Sequence, residues 1–163
     1  MGSSFATLDQ FDVRGLARAM EQNTGAEVLN FGLSAAQWDV LAGYMQAFSV
    51  RPGQVLIERG EMDGTLFLVE SGTLSVHCED EKSRIRLAMV GAGSVVGEAG
   101  FFSQLARAAT VQAAGPCVLW RLNTVRFGEL ANRQPAIAVQ IVLAIGAVLA
   151  RRLRDRSRRI AAT

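Results

Sequence analysis

The chain has 163 residues, half of them apolar and a fifth charged, with a net charge of +2, enough for one globular domain with a single core and short for two. One histidine, His77, and two distant cysteines, Cys78 and Cys117, leave little for a zinc centre or a Ser-His-Asp triad and favour two reduced thiols over a disulfide. The charge is uneven, since residues 151–159 carry six arginines and one aspartate, leaving about −3 on the rest of the chain.

The first residues, Met1-Gly2-Ser3-Ser4, have no basic segment followed by an apolar run, so no signal peptide is expected and a cytoplasmic protein is the default. Residues 7–22 read as a helix with Leu8, Phe11, Leu16 and Met20 on one face, broken at Asn23-Thr24-Gly25. A second helix is expected over 35–48. Ser34 stands at its N-cap with Gln37 three residues on, a capping-box pattern, and Trp38, Leu41, Met45 and Phe48 recur every three or four residues. That stripe reads as core and implies no cofactor.

From residue 51 to 122 the texture changes to short apolar segments separated by turns. Strands are expected at 55–57, 65–70, 73–78, 85–90, 95–96, 111–113 and 118–122. Arg51-Pro52-Gly53, Arg59-Gly60-Glu61, Ser71-Gly72, the charged loop 79–83, Gly91-Ala92-Gly93 and Gly115-Pro116 divide the segments. Many short strands without helices between them indicate an antiparallel barrel or jelly roll. Asn123 then caps a short helix at 125–131, and Pro135 opens a long one reaching 153.

Residues 136–150 contain a single polar side chain, Gln140. Fifteen such residues fall short of the roughly 20 needed to span a bilayer, so no transmembrane segment is expected. A helix apolar all round must be covered on more than one side. The barrel covers one side, and a homodimer through the 135–153 helix is expected to cover the other. The expected fold class is α+β: an antiparallel β jelly-roll barrel at about 50–122, flanked by N-terminal helices and a long C-terminal helix. Residues 1–32 form an N-terminal helical segment and 33–163 the main domain, with its C-terminal helices at 124–159.

Between the strands at 95–96 and 111–113 lies Gly97-Glu98-Ala99-Gly100-Phe101-Phe102, followed by Arg107-Ala108-Ala109-Thr110-Val111. A carboxylate can accept from a ribose hydroxyl, and a guanidinium offers a planar fork of donors to a phosphate. Small neighbours let backbone N–H groups approach an anion. The bland alternative is a surface helix with Arg107 on its solvated face, followed by a strand at 110–114.

The two halves and their spacing resemble the phosphate-binding cassette of cyclic nucleotide-binding domains. Arg51-Pro52-Gly53-Gln54-Val55-Leu56-Ile57 and Glu70-Ser71-Gly72-Thr73-Leu74 resemble the family's Pro-x-Gly and Ser-Gly turns at matching places, so the resemblance covers about residues 33–159. It implies a β jelly roll flanked by helices and a cyclic nucleoside monophosphate as ligand, most readily cyclic AMP and otherwise cyclic GMP, with no other cofactor. Arg107 would pair with the phosphate, beside backbone N–H groups of Ala99, Gly100 and Ala108. Gly97 and Glu98 would hold the ribose. Ala109, Thr110, Arg152, Arg156 and Ser157 would lie near the base, with Leu87, Val95 and Val96 as apolar walls. In an empty pocket Arg107 could also pair with Glu98 itself.

Ala108 lacks the hydroxyl that family members favouring cyclic GMP carry there, which favours cyclic AMP. The chain departs from the family where Phe102-Ser103-Gln104-Leu105-Ala106 lacks a Gly-x-Pro, and where Arg156 stands in place of a threonine that reaches the adenine. No helix-turn-helix follows Arg159, so sequence-specific DNA binding is not expected. The resemblance implies a non-catalytic sensor that passes occupancy to an unknown protein partner through its last helix. The rival is a protein-interaction module of the same fold, with a degenerate pocket or another ligand such as a cyclic dinucleotide. An enzyme is disfavoured: Glu58, Glu61 and Asp63 sit in turns with no partner histidine, and there is no Gly-x-x-x-x-Gly-Lys loop.

Overall fold

The computed structural model describes residues 11–25, 29–79 and 82–161, and for 156–161 the helical backbone only. Helix α1 (Val13–Gln22) begins at Asp12, whose carboxylate accepts from the Arg14 N–H, and buries Val13, Leu16 and Met20. The earlier part of the helix expected from residue 7, with Leu8, lies outside the described residues. Helix α2 (Ala35–Ala42) has the anticipated capping box: the Ser34 hydroxyl accepts from Gln37 N, and the Gln37 side chain accepts from Ser34 N.

Helix α2 is shorter than expected. It ends at Ala42, where Gly43, Tyr44 and Met45 N–H groups bond back to Val40, Leu41 and Ala42 carbonyls, tightening the last turn. Strand β1 (Gln46–Val50) follows, pairing over five residues with the last strand of the sandwich. Phe48 therefore lies on a strand opposite Leu119, its ring 6.0 Å from that of Phe67. Met45 and Phe48 match a helical stripe in spacing, but a ladder of inter-strand hydrogen bonds outweighs that local pattern. The β region accordingly begins at Gln46, four residues before the anticipated boundary.

The remaining strands are β2 (Val55–Ile57), β3 (Leu66–Ser71), β4 (Leu74–Glu79), β5 (Ile85–Val90), β6 (Val95–Val96), β7 (Thr110–Ala113) and β8 (Cys117–Leu122). They form two four-stranded antiparallel sheets, ordered β1-β8-β3-β6 and β2-β7-β4-β5. Strand β3 shows why two layers suffice. Leu66 and Leu68 face the helices while Phe67 and Val69 face the opposite sheet, and all four are buried. One core therefore lies between the sheets and a second between the first sheet and the helices. The expected α+β jelly-roll architecture is the one observed.

Helix α3 (Glu98–Ser103) interrupts the strands between β6 and β7, and α4 (Thr124–Arg133) is capped by the Asn123 side chain. Helix α5 (Pro135–Ala161) presses Ile137, Ala138, Ile141, Ile145 and Val148 into the helix-side core. Over Pro135–Asp155 it is long and apolar enough to cross a membrane by length and composition, but that inner face belongs to the core. Its opposite face leaves Val139, Leu143 and Leu153 more than half exposed. Ile141 is 1% exposed, so Ile141→Ala should cost about 2–5 kcal/mol, read as a lower urea midpoint. A change below about 1 kcal/mol would contradict the docking of α5 as a core element.

Candidate functional site

A cavity of about 350 Å³ lies between α3 with its following loop and the inner face of the second sheet, with Arg152 of α5 in its lining. Its walls come from β2, β4, β5, β6 and β7: Ile57, Val76, Cys78, Ala88, Met89, Val90, Val95, Val96 and Val111 line it. Gly97, Glu98, Ala99, Gly100, Arg107, Ala108 and Ala109 complete the lining. Among the described residues its charged side chains are Glu98, Arg107 and Arg152.

Arg107 is placed by backbone on both sides. Its N–H donates to the Glu61 carbonyl (2.8 Å) and its carbonyl accepts from Gly60 N–H (2.9 Å), tying it to the turn between β2 and β3. The side chain runs inward and only 5% of the residue is exposed. Nη1 donates to the Gly97 carbonyl (2.9 Å) and Nη2 to the Thr65 carbonyl (2.7 Å). Two glycines make that path possible. Gly97 caps α3 at φ +84°, and a Cβ there would sit 2.8 Å from Nη1 and 2.7 Å from the Thr65 oxygen. A Cβ on Gly100 would come within 3.0 Å of Nη1.

The electrostatics are incomplete. Burial pulls the Arg107 pKa below the ordinary arginine value, against the opposing pull of Asp63, Glu98 and Glu61. The nearest carboxylate is Asp63, whose Oδ2 lies 3.9 Å from Nη2. Nε is buried without a hydrogen-bond partner, a costly condition for a donor on a cation. Two carbonyls and one distant carboxylate thus hold the guanidinium in place and leave it short of an anion.

The structure brings together Gly97, Glu98, Ala99, Gly100, Arg107, Ala108, Ala109, Val95, Val96 and Arg152 around this one space. It does not place Leu87 or Thr110 there. Leu87 is 61% exposed and outside the lining, to which β5 contributes Ala88, Met89 and Val90 instead. Thr110 instead accepts from the Arg59 N–H through its hydroxyl (3.1 Å). The side chains of Arg156 and Ser157 lie outside the described residues. The solvated-helix alternative for Arg107 fails, since the residue is buried and follows α3 in a loop. The Glu98–Arg107 pair is absent as well: Glu98 pairs with Arg152, and Arg107 turns to main-chain carbonyls.

Sequence reasoning missed Asp63 as a partner of Arg107, and it missed most of the β4–β5 wall. Asp63 is 44 positions from Arg107, and only the fold of the β2–β3 turn brings them near. The wall is set by the pairing of β4 with β5, which no local sequence signal announces.

A match to the family model "Cyclic nucleotide-binding domain" spans residues 47–134, just over half of the chain. The chain belongs to the cyclic nucleotide-binding domain family. Among curated proteins of similar sequence, an uncharacterised protein of Mycobacterium tuberculosis is 38% identical over 95 residues, covering 58% of this chain and 18% of that protein. The cAMP-activated global transcriptional regulator CRP of Haemophilus influenzae is 32% identical over 107 residues, covering 64% of this chain and 46% of the regulator. The chain thus spans less than half the length of these relatives. Among solved structures, a cyclic nucleotide-binding domain from Methylobacillus flagellatus has a TM-score of 0.79 at 22% identity, covering 92% of this chain and 83% of that one. The Thermus thermophilus catabolite activator protein has a TM-score of 0.70 at 26% identity, covering 80% and 60% respectively.

Within this cyclic nucleotide-binding domain, Asp63 gives a pH signature. Burial pushes its carboxyl up, but the Thr65 hydroxyl (2.8 Å), the Thr65 amide N–H (2.9 Å) and Arg107 together hold it below the usual aspartate value of 3.8. A depressed carboxyl contributes stability above its unfolded pKa and loses it as pH falls through the lower folded value. Asp63→Asn should therefore lower the urea midpoint at pH 6, with the gap to the parent narrowing below pH about 4. An equal gap at both pH values would show that the charge plays no part.

Proposed function

We propose that this chain binds a cyclic nucleoside monophosphate and acts as a non-catalytic regulatory module, with cyclic AMP as the ligand its sequence favours. One observation carries the reading: a buried guanidinium with an unpartnered Nε lines a mainly apolar cavity of about 350 Å³. Relatives named as a cGMP-dependent protein kinase and as cAMP-dependent protein kinase regulatory subunits support the ligand class. Arg107 takes the phosphate, and the N–H groups of Ala99, Gly100 and Ala108 assist. Glu98 accepts from the ribose hydroxyl.

The Glu98–Arg152 pair supports a route for the signal. A ribose hydroxyl bonded to Glu98 changes the terms of its pairing with α5, so occupancy and helix position are linked through one carboxylate. A second copy would cover the outer face of α5, where Ala136, Val139, Leu143, Gly146, Ala150 and Leu153 are all exposed. They are spaced alternately three and four residues apart, the pattern of a helix-pairing seam. Two unpaired cysteines, one exposed and one buried, suit a reducing compartment such as the cytoplasm.

Calorimetric titration with cyclic AMP should give micromolar or tighter binding, about −8 kcal/mol. Arg107→Ala should weaken it by about 2–5 kcal/mol, because the buried phosphate loses its paired charge. A folded protein that binds neither cyclic AMP nor cyclic GMP would overturn the reading in favour of an interaction module. In sedimentation, Leu143→Arg should convert a dimer into a monomer; an unchanged mass would remove α5 as the interface.

A further inference from the structure

We infer that Cys78 is a modification site that closes the cavity to its ligand: a small anionic thiol of the glutathione class, joined to Cys78 as a mixed disulfide, takes the space of the nucleotide. This rests on the cyclic-nucleotide reading above. Cys78 is a free, exposed cysteine, and with Val76 it lines the cavity from the β4 wall, across from the loop that carries Arg107. A reagent in solution therefore meets the thiol at the site itself. A second, independent observation lies on the other side of the cavity. Arg107 is 5% exposed and its Nε has no hydrogen-bond partner, which favours an anion there. Among the described residues the charged lining side chains, Glu98, Arg107 and Arg152, sum to one positive charge. The strand register also places Arg86 opposite Cys78 on β5. A disulfide bearing carboxylates is drawn to such surroundings.

Cys117 cannot share this chemistry. It is 2% exposed, and its Sγ donates to the Thr73 and Gly115 carbonyls at 3.4 and 3.3 Å. Thr73 and Cys78 stand five positions apart on extended chain, a span of about 16 Å, whereas a disulfide needs Cα atoms within about 7 Å. Oxidation therefore does not join the two cysteines of one chain, and Cys78 takes its partner from solution. The step is thiol–disulfide exchange. The Cys78 sulfur attacks one sulfur of a low-molecular-weight disulfide, a new S–S bond forms as the old one breaks, and the other half leaves as a thiol with the proton that Cys78 gave up. No further oxidant is consumed. The attached group enters a cavity of about 350 Å³, the size of a site for one small molecule, and its carboxylate takes the place of the phosphate beside Arg107. Excess thiol reverses the exchange, so the site reopens once the surrounding pool is reduced.

The test treats the full chain with oxidised glutathione, locates adducts by mass spectrometry, and titrates treated and untreated protein with cyclic AMP and cyclic GMP. The expected result is one adduct, on Cys78, formed more slowly when nucleotide is already present. Affinity for the nucleotide should fall by about tenfold or more and return after reduction with dithiothreitol. Cys78→Ser, compared with itself before and after treatment, should show no change. Absence of an adduct on Cys78, or an adduct that lowers affinity by less than that, would overturn the inference and leave the cyclic-nucleotide reading intact. So would a loss of affinity that persists in Cys78→Ser. Untreated protein that binds neither nucleotide would overturn that reading, and the inference with it.

Discussion

Holding one guanidinium out of water is the constraint around which the site is arranged. A buried cation carries a desolvation cost of several kcal/mol even after relaxation, and Arg107 meets it with two main-chain carbonyls and a carboxylate 3.9 Å away. Every element that touches Arg107 is fixed by that requirement. The β2–β3 turn must present the Glu61 and Thr65 carbonyls, α3 must begin at a residue able to adopt φ +84°, and Gly100 must lack a side chain. Each group is needed because Nε already lacks a partner.

The two-sided core explains how such a site is kept rigid. The sheet that lines the cavity packs through Val111, Ala113 and Leu74 onto the first sheet. The first sheet in turn packs through Leu66, Leu68 and Trp120 onto α1, α2, α4 and α5. The helix that contributes Arg152 is thus anchored in one core and reaches across to the other. Phe101 of α3 joins the same assembly, 5.1 Å from Phe127 of α4. The segment matched by the family model stops at residue 134, so α5 and its arginine lie outside that matched segment.

Most of the fold was legible because its signals are local. The Ser34–Gln37 box, the Asn123 cap, Pro135 at the start of α5 and the turns at Ser71-Gly72 and Gly91-Ala92-Gly93 each act within a few residues. The segment 43–50 misled because Met45 and Phe48 extend a helical spacing by coincidence, while the hydrogen bonds that make it a strand come from Cys117–Leu122, about seventy residues away. The cassette was legible as a motif, but its partners were not. Nothing near Arg107 in the sequence points to Thr65 or Asp63, and nothing near Glu98 points to Arg152. Those contacts exist only once the β2–β3 turn and α5 have packed.

The pairing of Glu98 with Arg152 also sets the field inside the cavity. Arg107 alone against Glu98 alone would leave the lining neutral; with Arg152 present, the three charged side chains sum to one positive charge. An apolar recess with a single net charge at its base focuses field lines outward and raises the encounter rate of small anions. The arginine on the last helix therefore contributes at a distance as well as in contact. Its pairing with Glu98 offsets the negative charge that this carboxylate would otherwise set against an approaching anion. That attraction weakens as added salt shortens the screening length.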